Sequence, residues 1–183
     1  MSTNIAEALK NHINVKSVTK PELIKRLPDP VLNVLNEQIK NELVSSQIYR
    51  AMASWLDDKG WPNGAKLFFK YADEELTHMN KIYNYLYDRN CKAIVPECPK
   101  VKTEYSSMRE ILEDSLKHEF EVSANWMNIA DVALANKCHV TYEMALWFQK
   151  EQNEEEIKFR DLLFKLDLGM PDWAFEQHLG TKL

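Results

Sequence analysis

Glu75 and His78 stand three residues apart within Glu74-Glu75-Leu76-Thr77-His78-Met79, in the middle of a long stretch of apolar periodicity. On a helix this spacing places both side chains on one face, so a carboxylate and an imidazole converge on a common point. Such a pair suits a metal ion, provided that other segments send ligands to the same place. The surrounding seam runs Phe68, Tyr71, Ala72, Glu75, Met79, Ile82 and Leu86. Three further seams are interrupted in the same way. Glu42 lies within Leu32, Leu35, Ile39, Ser46, Tyr49, Ala53 and Leu56, and Glu119 within Leu112, Ser115, Val122, Trp126, Ile129 and Ala133. Gln152 and Glu155 lie within Ala145, Phe148, Phe159, Leu162 and Leu166. A carboxylate buried alone is costly, and burial brings pairing or metal coordination. Gathered at one point, these groups offer oxygen ligands and one imidazole nitrogen, a set better suited to iron or manganese than to the thiolate-rich sites of structural zinc.

Helices must position them. The first is expected over Val31 to Asp58, started by Asp29-Pro30 and stopped by Gly60 and Pro62; the second opens at Pro62 or Asn63 and reaches about Asp88. Periodicity fails between Asn90 and Glu104, around Cys91, Pro96, Cys98 and Pro99. A connection of about 15 residues at ~3.3 Å each spans a helix of ~42 Å, so the second and third helices are expected to run parallel. The third opens on a capping box, Ser107-x-x-Glu110, and a short turn through Asn136-Lys137-Cys138-His139 leads to the fourth. Beyond Leu168-Gly169-Met170, Pro171 and Asp172 start a short fifth helix with Trp173, Phe175 and Leu179 as its apolar side and Gly180 as its stop. The expected fold is all-α: a four-helix bundle with a long crossover between its second and third helices and a short fifth helix. Residues 31–183 form this domain. Met1 to Pro30 form an extension in which Ile5, Ala8, Leu9, His12 and Ile13 make a short amphipathic turn and Pro21, Pro28 and Pro30 discourage a continuous helix. It reads as a mobile tail in preference to a docking peptide or an intersubunit strap.

Composition narrows the class. A chain of 183 residues with 45% apolar side chains can bury one substantial core, and 4 glycines leave little punctuation for a many-stranded fold. A net charge of −5 argues against a nucleic-acid partner, which calls for a basic face. Cys91, Cys98 and Cys138 are odd in number and lack C-x-x-C spacing, so reduced thiols in a cytoplasmic protein are expected. The sequence contains no apolar run of spanning length, and no membrane partner is expected.

One Glu from each of two helices with Glu-x-x-His from others is the di-iron layout of ferritin-like bundles. The chain resembles a non-haem ferritin of prokaryotic type along Leu35-Asn36-Glu37-Gln38-Ile39-Lys40-Asn41-Glu42-Leu43-Val44-Ser45-Ser46, Glu74-Glu75-Leu76-Thr77-His78-Met79, Lys117-His118-Glu119 and Glu151-Gln152-Asn153-Glu154-Glu155-Glu156. These fall in family order, and the likeness covers Val31 to the carboxyl terminus. Haem-containing relatives would repeat Glu-x-x-His on the fourth helix, where this chain has Gln152-Asn153-Glu154-Glu155. No haem is therefore expected, and Met52 reads as packing.

The resemblance implies ferroxidase chemistry. It makes Glu42, Glu75 and His78 ligands of a first iron with Gln152 nearby, and Glu119 and Glu155 ligands of a second, with Glu75 bridging. Tyr49 matches a tyrosine beside the centre, able to donate a hydrogen bond or an electron. Glu74, Glu151 and Glu154, with Glu155, match a third, accessory iron site facing inward. Glu156 reads as part of a solvated face, and His118 points elsewhere. Fe(II) would be oxidised by dioxygen or hydrogen peroxide, and Fe(III) stored as mineral in a homo-oligomeric shell of about 24 subunits. Cys138 and His139, at the turn that lines threefold pores in this family, are candidates for a metal-binding ring, against the plainer reading of a surface turn. The alternatives are a di-iron oxygenase acting on an organic substrate and a non-catalytic shell that only nucleates mineral.

Overall fold

The structure, a computed structural model, describes residues 26–183. Its elements are α1 (Asp29–Asp58), α2 (Pro62–Asp88), α3 (Met108–Ala135), α4 (His139–Asp167) and α5 (Asp172–Gly180), with no strand among the described residues. None of these helices is long and apolar enough to cross a membrane.

α1 starts at Asp29 rather than Val31, because Pro30 falls in the first turn, where a missing N–H leaves no bond unmade. Of the expected extension, the part before residue 26 lies outside the described residues. Leu27 already belongs to the bundle, buried in the same apolar cluster as Val31 and Leu35.

The four long helices end alike. Gly60, Asn90, Lys137 and Gly169 all have positive φ. After each, the next amide turns back to a carbonyl five residues earlier: Trp61 to Leu56 at 2.9 Å, Cys91 to Leu86 at 2.9 Å, Cys138 to Ala133 at 2.8 Å and Met170 to Lys165 at 3.3 Å. This left-handed cap closes the last turn, at no steric cost for Gly, little for Asn, and a real one for Lys137. α3 begins as its capping box requires, with Glu110 N donating to Ser107 Oγ at 3.1 Å. The Glu110 carboxylate reaches one residue further back than expected, to Ser106 N at 2.6 Å.

α1 pairs with α2 and α3 with α4 as hairpins. The segment between α2 and α3 then travels along α1. Ile94 N donates to Asn36 Oδ1 at 2.8 Å near one end of α1, and the Tyr105 ring meets Trp55 edge-on at 6.1 Å near the other. Asn36 and Trp55 are about 28 Å apart at ~1.5 Å per residue, a distance that the extended segment covers. α2 and α3 consequently start at the same end and run parallel. α5 folds back on the start of α2, where Asn63 N (2.6 Å) and Gly64 N (3.2 Å) donate to the Glu176 carboxylate. Those amides have no acceptor within their own helix, so Glu176 caps α2 from a distance. Gly64 lets α5 approach closely: an added Cβ would come within 3.3 Å of Leu179 Cδ1, which would have to give by a few tenths of an ångström. Trp173, expected on the apolar side of α5, is 74% exposed. The helix docks through Phe175 and Leu179, one turn apart, and Trp173 points away from them.

The apolar core is divided. One cluster, around Tyr49, Leu56, Phe68, Leu112 and Phe159, fills the end where α2 starts. The other, around Val31, Ile82, Leu86, Trp126 and Phe148, fills the opposite end. Small departures from the expected seams occur at Leu32, Met79 and Leu166, which are half-buried, while Val31 and Met52 are buried in their neighbourhoods. A polar layer separates the two clusters.

Candidate metal centre

That layer is built from the interrupted seams. Glu42 on α1, Glu75 and His78 on α2, Glu119 on α3, and Gln152 and Glu155 on α4 are all buried. Each helix contributes its polar residue at the depth where the apolar side chains above and below lock the register. Below His78, the Phe148 ring meets the imidazole edge-on at 5.5 Å and stacks on Trp126 at 3.7 Å. Above, Tyr49 is wholly buried against Phe68, Tyr71 and Phe159.

Glu42, Glu75 and His78 each present a ligand atom within 4.8 Å of the others, the one such group of three among the described residues. His78 Nδ1 lies 3.4 Å from Glu75 Oε2. Glu42 Oε1 accepts from Gln38 Nε2 at 2.9 Å, whereas Glu42 Oε2 is buried with no hydrogen-bond partner. An orphaned buried carboxylate oxygen beside a second carboxylate and an imidazole fits a cation, which would satisfy all three.

The other hairpin carries a second half. Tyr49 Oη donates to Glu119 Oε1, and Gln152 Nε2 donates to Glu119 Oε2 at 2.7 Å. Glu155 Oε1 accepts from Lys158 Nζ at 2.7 Å. Glu75 lies within the electrostatic reach of Glu119 and Glu155, so the two halves form one acidic site.

Burial dominates the electrostatics. It pushes Glu42 well above the ordinary carboxylate range, with Glu75 adding repulsion, and pushes Glu75 up with Glu119 adding to it. Glu119 is raised to about 7 by burial, although the bonds from Tyr49 and Gln152 favour its charged form. Burial also raises Glu155, against the bond from Lys158. Tyr49 is held well above its usual value by burial and by the charge of Glu119, so its phenol stays protonated as a donor. Burial disfavours charge on Lys158, but the bond to Glu155 and the fields of Glu155, Glu74 and Glu154 outweigh it and leave the amine above its usual value. Four carboxylates crowded into a dry layer are held at the expense of their ionisation, a cost that bound cations would relieve.

The remaining expected site residues are more dispersed. Glu74 and Glu151 are half-buried and Glu154 is exposed. They do not join the Glu42, Glu75 and His78 group. His118 turns away, its Nε2 2.7 Å from Ser45 Oγ. Glu156 accepts from Ser123 on α3. Cys138 is buried, its Sγ 3.0 Å from Thr141 Oγ1, so the thiol faces into the subunit; His139 is exposed. Gln38 and Lys158 escaped the sequence reading. Both stand one helical turn from a candidate ligand, Gln38 four residues before Glu42 and Lys158 three after Glu155, a spacing that marks side-chain contact.

Comparison with known proteins places this geometry. A family model for the ferritin-like domain matches residues 32–169. A bacterial non-heme ferritin from Staphylococcus saprophyticus is 38% identical over 129 residues, 70% of this chain and 77% of that protein. One from Staphylococcus aureus is 33% identical over 156 residues, 83% of this chain and 94% of its own. Among solved structures, a novel open pore ferritin from Archaeoglobus fulgidus superposes with a TM-score of 0.81 at 25% identity, covering 84% of this chain and 96% of that one. The chain belongs to the ferritin family.

Proposed function

We propose that this protein stores iron as a ferroxidase, taking Fe(II) as substrate at the polar layer and delivering Fe(III) to the interior of a homo-oligomeric shell. The observation that carries this reading is the convergence of Glu42, Glu75 and His78 within 4.8 Å, where the carboxyl groups of Glu42 and Glu75 meet and no N–H donor reaches Glu42 Oε2. In this reading Glu42, Glu75 and His78 hold one Fe(II). Glu119 and Glu155 would hold a second, and Glu75, within the fields of Glu119 and Glu155, would serve both ions. Four carboxylates carry a formal charge that two Fe(II) neutralise, so the layer is balanced when both are bound. Two adjacent Fe(II) supply the two electrons that reduce dioxygen to hydrogen peroxide, or hydrogen peroxide to water.

The chain's own residues set the conditions. Tyr49 and Gln152 hold Glu119 at both oxygens and keep its orientation before an ion arrives. Gln38 fixes one oxygen of Glu42 and leaves the other free to bind. Phe148 and Trp126 on one side, with Phe68 and Phe159 on the other, keep bulk water out of the layer. Storage requires a shell, and the corner from α4 into α5 exposes Phe164 (60%), Leu168 (71%) and Trp173 (74%), apolar surface of the kind that subunit contacts cover.

The test is anaerobic loading with Fe(II) followed by air. The expected result is rapid oxidation of many Fe(II) per subunit, leaving a soluble, iron-loaded particle of high mass. Glu75→Ala should lose the fast phase while light scattering still reports an assembled shell. Retention of the fast phase in that variant would overturn the assignment of the centre.

A further inference from the structure

His118 adjoins Glu119 in sequence but turns away from the polar layer. It borders a cavity of about 360 Å³ between α1, α3 and the segment that joins α2 to α3, whose apolar wall is Val44, Ile48 and Met52. Ser45 Oγ donates to Asn41 O at 3.0 Å, and its oxygen lies 2.7 Å from His118 Nε2, so the imidazole donates through Nε2 and carries its lone pair on Nδ1. Nδ1 has no hydrogen-bond partner among the described residues and is not enclosed by them, which leaves it toward the cavity. The His118 ring also meets the Tyr49 ring edge-on at 6.2 Å, and Tyr49 Oη donates to Glu119. His118 and Tyr49 therefore stand between the cavity and the layer.

The cavity does not suit Fe(II). Lys100, Lys102 and Lys117 border it, and the described residues gather no set of three metal-ligating side chains there. One unshared lone pair against an aliphatic wall suits a small neutral molecule that has an O–H to donate. Of the two oxidants, dioxygen has no donor and hydrogen peroxide has two. Glu121, at the same cavity, offers an acceptor for the second. We propose that this cavity binds hydrogen peroxide, with His118 Nδ1 accepting one of its O–H groups, and passes it to the layer as oxidant. The proposal rests on the ferroxidase reading. In the step that follows, two Fe(II) give one electron each, the O–O bond breaks, and both oxygens leave as water with two protons taken from solvent.

The experiment loads the assembled protein with two Fe(II) per subunit without air. It is then mixed rapidly with hydrogen peroxide or with dissolved dioxygen at about pH 7.5, where an ordinary imidazole is mostly neutral. The quantity read is the ratio of the peroxide to the dioxygen rate constant in wild type, His118→Leu, His118→Asn and Ile48→Trp. His118→Leu should lower that ratio roughly five- to tenfold, as expected for loss of one hydrogen bond. His118→Asn, whose amide oxygen takes the place of Nδ1, should keep it within about twofold of wild type. Ile48→Trp fills the cavity without replacing His118 and should lower it as well. An unchanged ratio in His118→Leu or in Ile48→Trp overturns the proposal, as does a His118→Asn ratio no higher than that of His118→Leu, or a wild type that reacts with dioxygen alone. A wild type that oxidises bound Fe(II) with neither oxidant refutes the ferroxidase reading itself.

Discussion

Removing one carboxylate from the layer should make the metal-free protein more stable, and the gain should depend on pH. Glu119 has a folded-state pKa of about 7 against an ordinary 4.5, raised by burial. A carboxyl group whose pKa is raised by folding binds its proton more tightly in the native state than in the unfolded one. Native stability therefore falls as pH climbs from 4.5 to 7, and the loss is complete above that window. At ~1.4 kcal/mol per unit the burden at pH 8 is on the order of 3 kcal/mol. Glu119→Gln removes it without changing shape, since the amide oxygen still accepts from Gln152 and the amide nitrogen can donate to Tyr49. The expected outcome is an apparent melting temperature roughly 6–12 °C above wild type at pH 8, for a domain of this size. The difference should shrink to nothing near pH 4. Saturating Zn(II) or Co(II) should raise the wild type by more than the variant, which keeps Glu42, Glu75 and His78 for one ion and loses a ligand of the other. The reasoning is refuted if Glu119→Gln is no more stable than wild type at pH 8, or if the difference is the same at both pH values.

Two further outcomes follow from the local geometry. Glu176→Ala should lower stability by about 1–2 kcal/mol, because it deprives the first amides of α2 of their acceptor, and hydrogen exchange at Asn63 and Gly64 should speed up with it. Lys137→Gly should raise stability by about 1 kcal/mol, because φ at Lys137 is +55° and glycine adopts that region without a Cβ clash; thermal unfolding measures it.

Most of the layer was legible because a helix repeats its buried face every three or four residues. A Glu recurring among Leu, Ile and Phe at that spacing stands out, and Glu42, Glu75 and Glu119 are each buried where the seams put them. The parallel course of α2 and α3 was legible from chain length alone. What escaped has specific physical causes. Trp173 counted as apolar, but one wide residue does not say which face of a nine-residue helix will dock, and Phe175 with Leu179 decided it. Lys137 takes a left-handed cap that sequence preference assigns to Gly or Asn, since α3 and α4 leave the chain no room for a longer turn. Lys158 escaped because its contact is with a carboxylate one turn back on its own helix, Glu155, and a lysine at that spacing is ordinary on any exposed helix face.

The central claim is that two iron ions bind within the polar layer between the apolar clusters. Anomalous diffraction at the iron edge, from crystals of the assembled protein loaded with Fe(II) without air, tests it most directly. The account predicts two peaks per subunit, one bounded by Glu42, Glu75 and His78 and the other by Glu75, Glu119 and Glu155. An empty layer, with iron only on exposed carboxylates such as Glu154, would contradict it.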